Sequence, residues 1–258
     1  MTDLEVRDEL AQWLATPPGQ YLLEWEQAQL DRVVADLFGF HALQLGLPAL
    51  DALHANRMPH RWLSGDRPGA RAVALHCDLD ALPFPERSLD LVVLPHALEL
   101  ARDPHLALAE VERVLVPEGR VVILGFNPAS LWGLRQRAGR LRQRVGGRSP
   151  LYLPSAGGFI GYWRLRDWLR LLSFEVEGGR FGCYRPPLRS QRWLERWDWI
   201  DATGDRWWPV LGAVYLLVAV KRVRGMRLVG LLPRERIPPQ AAPAVITNRH
   251  RHPQSKQE

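Results

Sequence analysis

Two polar side chains stand directly after two apolar runs that have the composition of buried strands. His96 follows the run Leu89–Leu94, and Asn127 follows the run Arg120–Leu124. If both runs are parallel strands of one sheet, their carboxyl ends meet at the edge where open sheets bind ligands. His96 could act there as a general base near neutral pH, and Asn127 could hold a substrate amide or hydroxyl. The alternative is that His96 lines a pocket without titrating and Asn127 begins a turn before Pro128.

The elements around these residues follow the order strand, helix, strand. Residues 96–115 form an amphipathic stretch between the two runs, and Pro117 with Gly119 predicts a turn before the second strand. This order is typical of a parallel sheet. The same patterns predict helices over 19–38, 48–55 and 163–174, and strands over 40–45, 61–64, 72–76 and 214–223. In the first of these helices we expect the acidic residues on the face opposite Leu22 and Leu30.

The link between the second and third predicted strands is unusually short. Only residues 65–70 separate the strands 61–64 and 72–76. A parallel crossover needs about a dozen residues or more, so no crossover helix fits there. We therefore expect a tight hairpin or one bent continuous strand at this place.

Two phrases carry a resemblance to a known family. The runs LPFPERSLDLVVL at 82–94 and ALAEVERVLVPEGRVVI at 107–123 resemble the second half of the type 11 methyltransferase domain. The run GFNPASLWGLRQ at 125–136 is similar to a proteobacterial subgroup of that family with a degenerate glycine motif. The resemblance extends over about residues 20–225. It implies an α/β fold with the Rossmann-like class I methyltransferase sheet, whose last strand, 214–223, is antiparallel.

The same resemblance implies S-adenosylmethionine as the cofactor and suggests which residues bind it. Gln44 and Gly46 stand where the family has an acid and the first glycine of a Gly-x-Gly-x-Gly turn, which hold the methionine part. Asp78 matches the residue that contacts the adenine amino group, and Leu79 matches its backbone partner. His96 would line the methionine pocket. The sequence departs from the family in the glutamine at position 44, in the loss of two glycines, and in Pro48, which removes a donor.

The resemblance also implies an activity, the transfer of a methyl group to a small or lipid-like acceptor, with His96 as the base. Two alternatives remain open. One is a non-catalytic protein that keeps the fold for binding or as a scaffold, since a fold does not fix an activity. The other is an adaptor for a membrane surface or a nucleic acid, acting through arginine-rich segments. Nucleic acid is the less favoured partner, because no recognised binding motif accompanies the charge.

The positive charge is confined to two segments. The net charge is +6, yet residues 1–131 carry −9, while residues 132–148 contain six arginines and no acid. Within that segment Leu131–Val145 is a candidate helix with Leu134, Ala138, Leu141 and Val145 on one stripe and arginines around it. Such a helix could contact an anionic membrane or grip phosphates. The alternative is a lid helix packed on the sheet with a solvated arginine face.

Tryptophans and prolines define the remaining organisation. Five tryptophans at 193, 197, 199, 207 and 208 predict a small cap, residues 187–209, whose core they form, although among arginines they could also stack on bases or rings. We expect one methyltransferase-like domain over 1–225, with an inserted segment at 126–160 and the cap. The basic tail, residues 226–258, has little periodicity and is expected to be disordered.

Cysteine usage and hydropathy bear on the compartment and on metal binding. The two cysteines, Cys77 and Cys183, have neither metal-ligand spacing nor the pattern of a disulfide framework. The longest apolar run, residues 209–220, is too short to span a bilayer. The acidic start at Asp3 and Glu5 is unlike the positively charged start of a signal peptide. We therefore expect a cytoplasmic protein without a metal site.

Overall fold

A computed structural model describes residues 3–65, 73–146, 151–154 and 158–222. Its centre is a six-stranded sheet in the order β2-β1-β3-β4-β6-β5. The strands are β1 His41–Leu45, β2 His60–Ser64, β3 Leu89–Pro95, β4 Leu115–Phe126, β5 Phe174–Gly182 and β6 Val214–Lys221. β2, β1, β3 and β4 are parallel to one another, and β6 is antiparallel to both β4 and β5. The mixed α/β sheet and its antiparallel last strand confirm the predicted fold class.

Eight α-helices and one 3₁₀ turn surround the sheet in the described part of the chain. They are α1 Asp3–Leu14, α2 Pro17–Val34, α3 Ala97–Leu100, α4 Pro104–Val114, α5 Leu131–Arg144, α6 Tyr162–Leu171, α7 Gln191–Arg196, α8 Trp199–Trp207 and the 3₁₀ turn Pro209–Leu211. Helix starts follow local chemistry. Asp103 caps α4 by accepting from the backbone N–H groups of His105 and Leu106, and Pro104 occupies the first turn. Ser130 caps α5 in the same way through Gly133.

The central strands are buried on both faces, which explains their continuous apolar sequence. Leu91 and Val93 of β3 point to one core together with α1 and α2, whereas Val92 and Leu94 point to a second core with α4 and α6. Alternation along a strand sends successive side chains to opposite faces. Helices therefore cover both faces of the sheet, and its carboxyl edge stays at the end of the layers, where loops from several strands meet.

Helix α2 is held against the sheet at several turns. The hydroxyl of Tyr21 donates to Asp201 at 2.5 Å, and Arg180 of β5 donates to the side-chain oxygen of Gln29 at 3.0 Å. A Cβ atom added to Gly182 would overlap the indole of Trp25. The helix thus approaches the backbone of β5 as closely as a glycine permits.

The predicted helix over 48–55 is wrong. These residues form turns instead, with backbone hydrogen bonds from Leu50 to Leu47 and from His54 to Asp51, both of 3.1 Å. The side chain of Gln44 competes with a helix here, because its amide donates to the Leu50 carbonyl and its oxygen accepts from the backbone N–H of Ala52. α1, by contrast, was not predicted, although its Leu10 and Leu14 are buried in the core.

The expected hairpin after β2 is also wrong. Ser64 pairs with Leu75 in a parallel bridge, supported by hydrogen bonds from Ala74 to the Leu63 carbonyl and from Gly65 to the Leu75 carbonyl. A hairpin would pair the two segments antiparallel. One bridge needs only a short return of the chain, so the long crossover of a full parallel strand is not required. The predicted strand 72–76 is reduced to this bridge, and residues 66–72 lie outside the described residues.

The amphipathic stretch 96–115 is divided into α3 and α4, because Pro104 cannot continue a preceding helix and begins a new one. The tryptophan cap is corrected as well. Trp193, Trp199, Trp207 and Trp208 are each more than half exposed, so they do not form the core of a cap. The tail predicted for 226–258 lies outside the described residues.

Candidate functional site

His96 lies at the carboxyl end of β3 and is completely buried. Its backbone has a left-handed conformation, with φ of 52°, where the chain turns from β3 into α3. Its Nδ1 lies 2.8 Å from an oxygen of Glu99, three residues later. Its Nε2 lies 2.7 Å from Oε1 of Glu26 on α2. Both ring nitrogens are therefore occupied by carboxylates.

The charges around His96 determine its protonation. Burial by itself lowers the pKa of His96, but the charge and hydrogen bond of Glu26, together with those of Glu99, outweigh burial and raise the pKa to about 10. At neutral pH the ring is an imidazolium that donates from both nitrogens and has no lone pair to accept a proton. In this arrangement His96 does not serve as the general base that the sequence suggested, and it holds two carboxylates in place instead.

The two carboxylates differ in how completely they are paired. Glu99 uses its second oxygen to accept from the backbone N–H of Phe126, at the end of β4, at 2.6 Å. Oε2 of Glu26 is buried and has no hydrogen-bond partner among the described residues. A buried carboxylate oxygen without a donor is costly. The cluster of Glu26, His96 and Glu99 therefore retains one unpaired acceptor.

Glu26 was not among the predicted site residues, although its spacing carried the information. It lies four residues after Leu22 and four before Leu30, and both leucines are fully buried. On a helix this spacing places all three side chains on one face. The expectation that the acids of α2 face away from the apolar stripe is therefore wrong for Glu26, while Glu24 is exposed as expected.

Gln44 and Gly46 lie at the carboxyl end of β1, next to the turn that contains His96. A Cβ atom built on Gly46 would lie 3.6 Å from that of Ala97, and its φ of 81° is one that glycine adopts freely. The amide nitrogen of Gln44 lies within 3.3 Å of the carbonyls of Gly46, Leu47 and Leu50. Gln44 is thus engaged in bracing the loop after β1.

The role of Gln44 is completed by a fourth hydrogen bond, in which its oxygen accepts from the backbone N–H of Ala52 at 3.0 Å. The N–H of Gly46 is also engaged, since it donates to the Ser64 carbonyl of β2 at 3.2 Å. Neither group points a free donor or acceptor at the edge of the sheet in this conformation. The contacts of Gln44 and Gly46 therefore give no direct support to their predicted role in cofactor binding.

Asn127 follows β4 and fastens the entry to β6. Its amide nitrogen donates to the carbonyls of Val210 and Gly212, both at 2.8 Å. Its oxygen accepts from the backbone N–H of Ala129, so it also shapes the turn before α5. These bonds occupy the polar atoms of the Asn127 side chain within the protein. They agree with the alternative in which Asn127 begins a turn, and not with a role in holding substrate.

Asp78 and Leu79 lie at the other side of the edge, beyond β2. The Sγ atom of the neighbouring Cys77 is 3.3 Å from the Oγ atom of Ser64, the last residue of β2. Asp78 is exposed, and Leu79 packs on the core that contains β3. The structure therefore brings Gln44, Gly46 and His96 together and places Asp78 farther along the same edge, past β1 and β2.

A cleft of about 400 Å³ opens beside the aromatic side chains near His96. Trp13 and Tyr152 line it, and the ring of Trp13 meets the ring of Phe126 edge to face at 6.0 Å between centroids. Phe126 in turn lies 4.3 Å from the ring of His96. A continuous set of aromatic contacts thus connects this cleft to the buried charged cluster.

Among the described residues, no group of three or more histidine, cysteine or acidic side chains is arranged to hold a metal ion. Within the same residues, no helix combines the length and hydropathy that crossing a membrane requires.

Comparison with known proteins gives one extended match and several partial ones. The family model described as a methyltransferase domain matches residues 54–123. The uncharacterized protein YafS of Escherichia coli is 32% identical over 212 residues, which cover 81% of this chain and 80% of YafS. The malonyl-[acyl-carrier protein] O-methyltransferase of Halorhodospira halophila is 39% identical over 95 residues, or 37% of this chain and 29% of that enzyme. The chain thus spans less than a third of that enzyme's length.

Solved structures agree on the fold. A methyltransferase in complex with the Trm112 activator of Haloferax volcanii has a TM-score of 0.55 at 18% identity and covers 85% of this chain and 99% of that one. A SAM-dependent methyltransferase of Archaeoglobus fulgidus has a TM-score of 0.53 at 17% identity, over 77% and 94% of the two chains. The chain belongs to one family with Escherichia coli YafS, and its sheet has the fold of these methyltransferase structures.

Proposed function

We propose that this protein binds S-adenosylmethionine at the carboxyl edge of its sheet and transfers the methyl group to a small or lipid-like acceptor. The observation that carries the proposal is the unpaired, buried Oε2 of Glu26 next to His96. A hydrogen-bond donor would satisfy this oxygen, and S-adenosylmethionine has an α-ammonium that donates, together with a sulfonium whose positive charge a carboxylate can balance. When bound, the cofactor supplies a methyl group that is activated by the positive sulfur.

The fit of the cofactor to this edge is supported residue by residue. Glu26 would accept from the ammonium or balance the sulfonium, while His96 and Glu99 keep its carboxylate in place. The family resemblance assigns the adenine amino group to Asp78, which lies beyond β2 and is exposed. Since His96 has no free lone pair, the chain would contribute mainly by positioning cofactor and acceptor and by excluding water.

The acceptor class is supported by the aromatic lining of the adjoining cleft. Trp13 and Tyr152 offer apolar ring surface, and Phe126 continues it to His96. Glu9 and Arg189 also line the cleft, so an apolar ring or acyl chain would bury its surface against the aromatic rings while a polar end meets these charged side chains. A small apolar or lipid-like acceptor is therefore the class that suits the cleft.

Calorimetric titration tests cofactor binding directly. S-adenosylmethionine and its demethylated product, S-adenosylhomocysteine, are titrated into wild-type protein, Glu26→Gln and the exposed control Glu24→Gln. We expect wild type and Glu24→Gln to bind both ligands. Glu26→Gln should weaken the binding of S-adenosylmethionine by about 1.5–3 kcal/mol, the range for a hydrogen bond to a charged group. Absence of heat with both ligands in wild type would refute the enzyme proposal.

The second candidate is a non-catalytic protein that uses the same fold for binding or as a scaffold. It is favoured by Gln44, which stands where the family has an acid and whose side chain forms its hydrogen bonds with the loop 46–52. The titration separates the two candidates, because a scaffold that has abandoned the cofactor gives no heat with either ligand while remaining folded.

A further inference from the structure

Helix α5 exposes an apolar stripe to solvent. The stripe consists of Leu131, Leu134, Ala138, Leu141 and Val145, spaced at three or four residues along the helix and its cap. Leu134 and Leu141 are 61% and 62% exposed, and Val145 is 82% exposed. Large apolar side chains repeated along one helical face mark an interaction surface more strongly than scattered ones do. This stripe is called the α5 stripe below.

The opposite face of α5 is fixed to the body of the protein. Trp132 is buried, and its indole donates to the Arg185 carbonyl at 2.7 Å. Gln136 donates to the Leu153 carbonyl at 2.9 Å and accepts from the backbone N–H of Tyr152 at 3.0 Å. The helix is therefore docked through its polar and aromatic face, and the α5 stripe cannot turn inward without breaking these bonds. The alternative of a packed helix with a solvated arginine face agrees with the buried Trp132 and the exposed arginines, but the apolar stripe is exposed as well.

Arginines border the α5 stripe on both sides. At about 100° per residue, Arg135 and Arg142 lie along one border, and Arg137 and Arg144 lie along the other. Arg135 also donates to the Pro187 carbonyl and covers the Tyr152 ring. The ion pairs of the described residues include none formed by Arg137, Arg142 or Arg144. The sequence from 132 to 148 contains no acid to neutralise them.

Exposed apolar residues adjoin the first turn of α5. Asn127, three residues before the cap Ser130, holds the carbonyls of Val210 and Gly212. Val210 and its neighbour Leu211 are nearly half exposed, and Trp207 and Trp208 before them are more than half exposed. The 3₁₀ turn and the end of α8 therefore expose further apolar side chains near the start of α5. Tryptophan at the margin of such a surface suits the boundary between acyl chains and headgroups.

We propose that the α5 stripe docks on an anionic lipid bilayer, with α5 parallel to the membrane plane. The leucines would enter the boundary between headgroups and acyl chains. The guanidinium groups of the bordering arginines would bind lipid phosphates, while the aliphatic parts of these side chains stay in apolar surroundings. A nucleic acid also offers phosphates, but it has no apolar layer that could bury the leucines between the two rows of arginines. The α5 stripe therefore favours a bilayer over a nucleic acid. The proposal does not depend on methyl transfer, since docking needs neither cofactor nor acceptor.

Sedimentation of the full chain with vesicles tests the proposal. The vesicles contain phosphatidylcholine alone or an equal mixture with phosphatidylglycerol, at low salt and at physiological ionic strength. Leu134→Gln/Leu141→Gln removes stripe contacts, and Arg142→Gln/Arg144→Gln removes border charge. Their controls are Leu106→Gln/Leu171→Gln and Arg57→Gln/Arg170→Gln, which change exposed residues elsewhere. Because the tail is present in every protein, its charge is common to all comparisons.

We expect wild type and both controls to bind the mixed vesicles and to bind pure phosphatidylcholine poorly. Each α5 variant should lower the partition coefficient about tenfold. The stripe variant should lose its remaining binding at physiological salt, where screening is strong beyond about 8 Å. In the Leu141→Cys variant, the emission of a fluorophore attached to the introduced thiol should shift to the blue with mixed vesicles. The same label in the Leu106→Cys variant should show no shift.

Three results would overturn the proposal. The first is that the wild-type protein does not bind anionic vesicles at low salt. The second is equal binding by the stripe variant and wild type, which would indicate contact through charge alone. The third is tight binding of an RNA or DNA oligonucleotide that the arginine variant loses and the leucine variant keeps, which would assign the surface to nucleic acid. Circular dichroism and melting of each variant establish that the exposed substitutions leave the fold intact.

Discussion

Nε2 of His96 lies 2.7 Å from Oε1 of Glu26, a residue 70 positions earlier in the chain. The contact joins the end of a central strand to a helix on the face of the sheet, entirely out of solvent. It raises the pKa of His96, so that the ring is charged at neutral pH, and it places a carboxylate on the apolar face of α2.

The first prediction concerns the pH dependence of stability. The pKa of His96 is about 10 in the folded protein, whereas an unfolded histidine titrates near about 6.5. A raised folded pKa gives stabilisation that is complete below the unfolded value and is lost as pH rises through the folded value. The free energy of unfolding should therefore fall by up to about 1.4 kcal/mol per pH unit across this window. Urea denaturation at several pH values measures the slope.

The control for this prediction is His96→Gln, which should have a shallower slope between about pH 6.5 and 9. Burial raises the pKa of the Cys183 thiol and of the Tyr215 hydroxyl, so these groups also remove stability at higher pH. The comparison is therefore restricted to the lower part of the window. Equal slopes for wild type and variant would contradict a buried imidazolium.

The second prediction concerns Gln44. Gln44→Ala should destabilise the fold by about 2–3 kcal/mol, because it leaves buried carbonyls of the loop 46–52 without donors. Gln44→Glu, which restores the acid typical of the family, should cost about as much, since a carboxylate would face those carbonyls. Chemical denaturation measures both. The exposed Gln12→Glu on α1 should change stability by less than about 0.5 kcal/mol, and a stabilising Gln44→Glu would contradict the bracing role.

The third prediction concerns Gly125 in β4. A Cβ at this position would lie 2.7 Å from the Tyr215 hydroxyl and 3.4 Å from Oε1 of Glu99. Gly125→Ala should push Tyr215 from its hydrogen bond to the Ile160 carbonyl and destabilise the protein by about 1–3 kcal/mol. Gly178→Ala in β5, where a Cβ meets nothing within 4 Å, is the matched control. Equal melting temperatures for the two variants would contradict the tight packing at Gly125.

The fourth prediction depends on the proposed cofactor. Asp78→Ala should weaken S-adenosylmethionine binding by about 1–3 kcal/mol, because the adenine amino group would lose its acceptor. Asp80→Ala, an exposed acid two residues later, should bind as wild type does. Calorimetry measures both. Equal loss in the two variants would point to a general effect of charge, and no loss in either would remove Asp78 from the site.

The sequence predicted those elements whose structure depends on local pattern. β3 and β4 are continuous apolar runs buried on both faces, and α5 has its capping serine directly before it. The loop after β1 could not be predicted in this way, because its turns depend on four hydrogen bonds to one side chain. Propensity over 48–55 favours a helix, and a tertiary contact overrides it.

The site was predicted in part for the same physical reason. The position of His96 followed from the strand that precedes it, but its partners did not. Glu99 lies in the same stretch, whereas Glu26 comes from α2 across the fold. A carboxylate between Leu22 and Leu30 on an apolar stripe was the available indication that α2 carries a buried charge. Asn127 was placed correctly at the end of β4, yet its contacts with Val210 and Gly212 needed the position of the distant 3₁₀ turn.

The absence of a side chain at Gly182 also has a kinetic consequence. Trp25 rests on that backbone, and Tyr21 and Gln29, one turn to either side, are bonded to Asp201 and Arg180. The backbone that carries Glu26 is therefore anchored both before and after it. We expect a solute to enter this interior when the helix moves as a unit. Its uptake rate should level off at high concentration, limited by the frequency of those helix movements rather than by collision.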